Sequence, residues 1–371
     1  MAAGTGKDRL RRPRRDGLIA AYGVVLALVA ACCLRAFGIG NDPAPVVRQA
    51  EASQTAAAKP SGSLKLPPRP TALSAVRRAD FRALPLADRA DLVEIAANGL
   101  RLPKISSNGW MPWIAFARRY DPEGPPARVG LLMINLGADE ALTARAIDDL
   151  PGEVSFAFLT STPDLPRWLQ RARERGHESY LMLPVEDPAG PVERGIKPID
   201  TSADAAENLR RLQVAMARGE GYVGFVVAEA GSLSQSMSTV QPLMQEIAAR
   251  GLAIVEINPD SGATPIYRLS VELGVGYARS SSVLDYKLAG EDIGTSLDRL
   301  VEWVGGTAPD RLPRHAFGVM QPDAEAIAAV VAWRQRMAGQ TAVSLVPIIG
   351  HFECRSACIA RVQAQPAQLR P

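Results

Sequence analysis

A chain of 371 residues, 47% hydrophobic and 22% charged, is long enough for one large folded domain with additional segments. Its formal net charge of +3 is too small to mark a nucleic-acid binder, and much of it sits in the first fifteen residues, where Lys7, Arg9, Arg11, Arg12, Arg14 and Arg15 outweigh Asp8. With three scattered histidines, His177, His315 and His351, the chain has little material for a histidine-based metal centre.

Residues 1–16 read as a basic cytoplasmic tail and residues 17–37 as a transmembrane anchor, because Gly17 to Leu34 runs without a charge over about the length of a bilayer core. The positive-inside rule then places the rest of the chain outside the cytoplasm, as expected for a single-pass protein of a bacterial inner membrane with its main domain in the periplasm. A cleaved signal peptide is the competing reading of the same segment. Cys32 and Cys33 lack the Leu-x-Gly-Cys arrangement of a lipoprotein and read as small helix-packing residues. Residues 38–78, with Lys59-Pro-Ser-Gly-Ser-Leu-Lys-Leu-Pro-Pro-Arg-Pro70, hold too few large apolar side chains to fold and read as a disordered Pro/Ala-rich linker. Residues 79–126 form an N-terminal extension with a strand or two and the apolar Trp110-Met-Pro-Trp-Ile-Ala-Phe116, read as packing.

From residue 127 to 350 strand and helix signals alternate. Short apolar runs of buried-strand type occur at Val129–Ile134, Val154–Leu159, Glu178–Leu183, Tyr222–Val227, Leu252–Ile257, Ala316–Met320 and Ala342–Pro347. Helical spacing fills Glu140–Leu150, Pro163–Arg175, Ala203–Ala217, Thr239–Arg250, Tyr267–Leu273, Ile293–Val304 and Asp323–Met337, with Gly176 placed as a helix stop. Such alternation predicts an α/β fold of parallel strands with helices outside, either an open sheet or a barrel.

Several phrases, in order, resemble the divergent polysaccharide deacetylase family of the NodB-like superfamily. Leu131-Leu-Met-Ile-Asn-Leu-Gly137 is similar to its first strand, Leu150-Pro-Gly-Glu-Val-Ser-Phe-Ala-Phe-Leu159 to its second, and Arg175-Gly-His-Glu178 to its Gly-His-Glu. Gly251 to Ile257 is similar to a later strand, and Val283-Leu-Asp285 to its Phe-Leu-Asp. The resemblance implies an irregular, incomplete (β/α) barrel.

It also implies a chemistry whose parts are missing here. Members of the wider class hold a divalent metal such as zinc with an Asp and two His, and a second carboxylate activates the bound water. The family's Asp-Asp pair corresponds to Ile134 and Asn135, and its histidine before Leu-Pro-Met-Glu to Met182. Its Asn-Asn-His-Met-Gly-Ser corresponds to Val226-Val-Ala-Glu-Ala-Gly-Ser232, where the histidine falls on Ala228 or Glu229. Its later Gly-His-Pro corresponds to Gly318-Val-Met-Gln-Pro322, with Met320 or Gln321 in the histidine's place. His177 matches the family but lies before a strand, away from the end where α/β sites form, so a structural role is expected. No catalytic residue, no metal ligand and no cofactor is therefore expected.

The pattern leaves a candidate glycan-binding cleft of Asn135, Glu186, Glu229, Ser232, Glu256 and Asp285, the four carboxylates each following or ending a strand. The competing reading is that such carboxylates cap helices or face solvent. Residues 351–371 read as a tail in which Cys354 and Cys358 have the spacing for a small disulfide loop in an oxidising compartment. A degenerate, membrane-tethered member that binds a glycan or an envelope protein is expected, with an active carbohydrate deacetylase, metal-assisted or on a rebuilt site, as the alternative.

Overall fold

The computed structural model describes residues 84, 89–120, 124–186, 195–228, 236–257, 263–285, 292–306, 315–339 and 342–352. The anchor, the linker, Glu229, Ser232, Cys354 and Cys358 lie outside these residues. Among the described residues no helix is long and apolar enough to cross a membrane.

The chain enters through a hairpin of β1 (Val93–Ile95) and β2 (Arg101–Pro103) and a single helical turn, α1 (Pro112–Ala115). The main sheet is then assembled from β3 (Ala127–Leu136), β4 (Ser155–Phe158), β5 (Ser179–Met182), β6 (Gly224–Ala228), β7 (Ala253–Ile257), β8 (Tyr277–Arg279), β9 (Ser282–Val283), β10 (His315–Met320) and β11 (Val343–Leu345). Between them run α2 (Glu140–Asp149), α3 (Leu165–Glu174), α4 (Ala205–Met216), α5 (Met237–Ala249), α6 (Pro265–Leu273), α7 (Ile293–Gly305) and α8 (Ala324–Arg336). Side chains of Asp139, Asp204, Thr264, Asp292 and Asp323 accept backbone N–H groups at the starts of α2, α4, α6, α7 and α8, satisfying donors that a helix cannot satisfy itself.

Every pairing in the main sheet is parallel, in the order β8-β7-β6-β5-β4-β3-β10-β9, with β11 beside the start of β3. The two edge strands are consecutive in the chain. Ser280 N–H donates to Glu256 O of β7 and the next residue, Ser281, donates to Phe317 O of β10 (both 2.9 Å). One short segment thus leaves one edge of the sheet and joins the other, which curls the sheet into an irregular barrel. Sequence periodicity missed β8 and β9, because a segment that changes neighbours after three residues carries no apolar run.

Alternation along the strands separates two cores. Leu131, Met133, Phe156, Phe158, Leu181, Phe225 and Ile254 face outward to the helices. Leu132, Ile134, Ala157, Tyr180, Met182, Val226, Val255, Ile257, Phe317 and Val319 face inward. The extension supplies Trp113 and Phe116 to this inner core and the C-terminal segment supplies Ile348, so the barrel is plugged from the end where its strands begin.

That closed base is wired by buried polar groups. Glu178, fully buried, accepts from Ser155 Oγ (2.8 Å), Tyr180 OH (3.0 Å), Ile349 N (3.1 Å) and Arg118 N (3.0 Å), joining two strands, the extension and the C-terminal turn. Arg173 donates to Phe116 O and Gly221 O (3.1 Å each). The role that sequence left as packing is therefore that of a base plate.

Candidate functional site

The strands' C-terminal ends form the opposite end, and β3 shapes it. Met133 pairs with Phe156 but Leu136 pairs with Phe158, so β3 spends one more residue than β4 over this step. The extra residue is Asn135, a β-bulge in the left-handed region at φ 57°. Asparagine adopts this backbone more readily than most residues. Gly137 follows at φ 93°, where any side chain would collide with Thr162.

The bulge directs Asn135 sideways instead of out to the helices. Its Nδ2 donates to Gln321 Oε1 at 3.0 Å, just past the end of β10. The Gln321 backbone N–H donates to Asp285 Oδ2 at 2.7 Å, just past β9. Two residues expected in the cleft, Asn135 and Asp285, are thereby brought together through a third, Gln321. Met320 is fully buried on the helix side, so Gln321 is the side chain at the mouth where the resemblance has a histidine. The inward alternation of Phe317 and Val319 was the available signal for it.

Burial pushes the Asp285 carboxyl above its usual range, the neighbouring charge of Asp323 adds to this, and the Gln321 N–H opposes it. Beneath these polar groups lie Ile134, Leu159, Met182 and Ile257, each at most 8% exposed, as an apolar floor. Buried Ser280, two residues past inward-facing Ala278, adds a hydroxyl with no hydrogen-bond partner among the described residues.

Glu256 does not join this group. It alternates with Val255 and Ile257 and so lies on the helix side, 2% exposed, accepting from Thr264 Oγ1 and Tyr277 OH (2.7 Å each). Burial raises its pKa and these two donors oppose the rise. Its work is to fix the start of α6. Glu186 is exposed after β5, with its backbone N–H on Ile199 O at 2.9 Å.

The histidines sit at the base. His177 is stacked on Phe156 at 4.0 Å, with Nδ1 2.8 Å from Val154 O and Nε2 3.3 Å from Ile147 O. A neutral ring donates once, and the shorter contact assigns the proton to Nδ1. Burial pushes its pKa down to about 4. His315 and His351, scattered in sequence, are neighbours in space, with ring centroids 5.6 Å apart. Burial, with His315 and Arg128 nearby, lowers the His351 pKa to about 3.

Whether these residues fit the divalent metal of the wider class can be judged from their chemistry. At the mouth, the expected ligand positions among the described residues hold isoleucine, methionine and two neutral amides, the remaining one falling on Ala228 or on Glu229, which lies outside the described residues, and Ile134 and Met182 belong to the inner apolar core. Among the described residues no three His, Cys, Asp or Glu side chains are grouped to hold an ion. The donor set among the described residues does not fit, and no step through a metal follows from it.

The family model for the divergent polysaccharide deacetylases matches residues 132–349. The crystal structure of an uncharacterized protein, ATU2773, from Agrobacterium tumefaciens C58 is similar with a TM-score of 0.60 and 27% identity, over 68% of this chain and 99% of that one. An Enterococcus faecalis V583 protein whose proposed role is cellobiose-phosphate cleavage gives a TM-score of 0.42 and 10% identity, over 61% of this chain and 99% of its own. Among curated proteins none matches. With the family model spanning more than half of its residues, the chain belongs to the divergent polysaccharide deacetylase family.

Proposed function

We propose that this protein is a non-catalytic member of its family, anchored in the bacterial inner membrane by residues 17–37, which binds a glycan or an envelope partner in the periplasm with the end of its barrel at which the strands finish. The observation that carries the proposal is the apolar floor. Ile134 and Met182, at positions where the family resemblance calls for an aspartate and a histidine, are 7% and 5% exposed and packed into the inner core. Isoleucine neither ligates a metal nor moves a proton. Above that floor, the amides of Asn135 and Gln321 and the carboxylate of Asp285 offer the mixed donors and acceptors that sugar hydroxyls need, over a surface on which the apolar face of a sugar ring can rest. The anchor is supported by the uncharged run Gly17 to Leu34 behind a basic tail.

The alternative is an active deacetylase built on Asp285, favoured by the raised pKa of that carboxyl at the mouth. One experiment separates the two. Full-length protein is tested for binding to cell-wall oligosaccharides and, on the same ligands, for acetate release, with Asp285→Asn and Asn135→Ala alongside. Binding that the variants weaken, with no acetate released, supports the proposal. Acetate release by the unmodified protein that Asp285→Asn abolishes overturns it.

A further inference from the structure

We infer that the hydrogen bond between Asn135 and Gln321 takes the place of a metal ion in holding the mouth of this barrel together. The backbone ladder between β3 and β10 ends at Met133 and Met320, and the β3–β4 ladder breaks at the same level before resuming at Leu136. Above that level the strand ends need another tie. Asn135 supplies it to β10, and the Gln321 N–H carries it on to Asp285 beyond β9. Three consecutive strand ends around the closing edge of the sheet are thereby linked by two hydrogen bonds at positions that backbone pairing does not reach.

The geometry explains why one device can replace the other. Two ligands each about 2.0–2.1 Å from a tetrahedral zinc lie roughly 3.3 Å from one another. Asn135 Nδ2 and Gln321 Oε1 are 3.0 Å apart. An amide pair and a shared cation therefore ask almost the same separation of the strands that carry them. The left-handed backbone of Asn135 fits this account, since an unfavourable conformation persists only where surrounding contacts hold it.

The inference concerns how the mouth is held and does not depend on what binds there. Thermal unfolding of the full-length protein tests it, in zinc and in chelator. The unmodified protein is expected to melt at one temperature in both. Asn135→Ala and Gln321→Ala should each lower the melting temperature by about 2–4 °C, the shift that loss of one such bond gives in a domain of this size. Their combination should melt close to Asn135→Ala alone, because both remove the same bond and only Asn135→Ala also places alanine on the left-handed backbone. Asn135→Asp combined with Gln321→His, with Asp285 beside them, should melt higher in zinc than in chelator. Additive losses from the two alanine variants would overturn the inference while leaving the proposed function intact. A double Asp/His variant indifferent to zinc would also overturn it. Zinc-dependent melting of the unmodified protein would overturn both.

Discussion

Replacing Glu178 by glutamine, a change of one atom, should cost the protein about 3 kcal/mol or more. The carboxylate is fully buried and its two oxygens accept four hydrogen bonds. A glutamine carbonyl oxygen placed at Oε1 keeps the three donors from Ser155, Tyr180 and Ile349. Its amino group then meets the Arg118 N–H, donor against donor, and a buried N–H left without an acceptor costs about 1–3 kcal/mol. The change also withdraws the negative charge that favours the charged forms of Arg118 and Arg173, which are 5% and 4% exposed. Stripping one partner from buried opposite charges costs about 3–5 kcal/mol, partly offset here because the carboxylate's own desolvation cost disappears with it. At about 2–4 °C per kcal/mol for domains of 150–250 residues, the melting temperature should fall by about 6–12 °C. Urea unfolding with an unchanged slope would show that stability alone has moved. A loss below about 1 kcal/mol would refute the reasoning, because it would mean that the group is already a neutral acid in the folded protein, the direction in which burial raises its pKa against the four hydrogen bonds.

Other perturbations probe the base and the core. His177, held down to about 4 against 6.5 unfolded, binds fewer protons folded than unfolded between those values, so its stabilisation is present above pH 6.5 and is lost as the pH falls towards 4. His177 should account for a loss of about 2 kcal/mol between pH 7 and pH 5 in urea titrations, and His177→Asn, which keeps a donor for Val154 and does not titrate, should remove that share of the slope while leaving the share of His351, whose pKa is lowered in the same sense. Glu256 has the opposite sign: with its pKa raised, its contribution is present below about 4.5 and is lost as the pH rises through the folded value, a trend Glu256→Gln should abolish in the same titrations. Gly130→Ala would put a methyl 2.5 Å from His351 Nε2 and 2.8 Å from Phe317 Cβ, and should cost about 1–3 kcal/mol by calorimetry. Trp113→Ala, emptying a 3% exposed site in the base plate, should cost about 3–5 kcal/mol in the same measurement.

How far residues alone reveal such a protein depends on whether the information is local. Strands β3 to β7 and their helices were legible because each buries an apolar run of its own and most of these helices begin on a capping side chain. β8 and β9 were not, since Arg279-Ser-Ser-Ser282 owes its strand character to Glu256 O on one side and Phe317 O on the other. At the mouth, the loss of the expected ligands could be read directly from Ile134 and Met182. The partnership of Asn135 with Gln321 could not, because it depends on one inserted residue in β3 and spans 186 positions. Glu256 shows the cost of judging a carboxylate by its position along a strand without its parity, for Val255 and Ile257 already mark the inner face. The base plate was invisible for a related reason: its bonds, such as Arg118 to Gly176 O, join segments 58 residues apart.

The base plate also determines how the domain can be handled. Leu84 donates its backbone N–H to Arg173 O at 3.4 Å, near the end of α3, and Phe352 packs on Trp113 with ring centroids 5.6 Å apart. The chain thus arrives at and departs from the plugged pole. A bead, biosensor chip or force probe coupled at Leu84 or at Phe352 would pull on the sealed pole, opposite the strand ends that carry Asn135, Gln321 and Asp285.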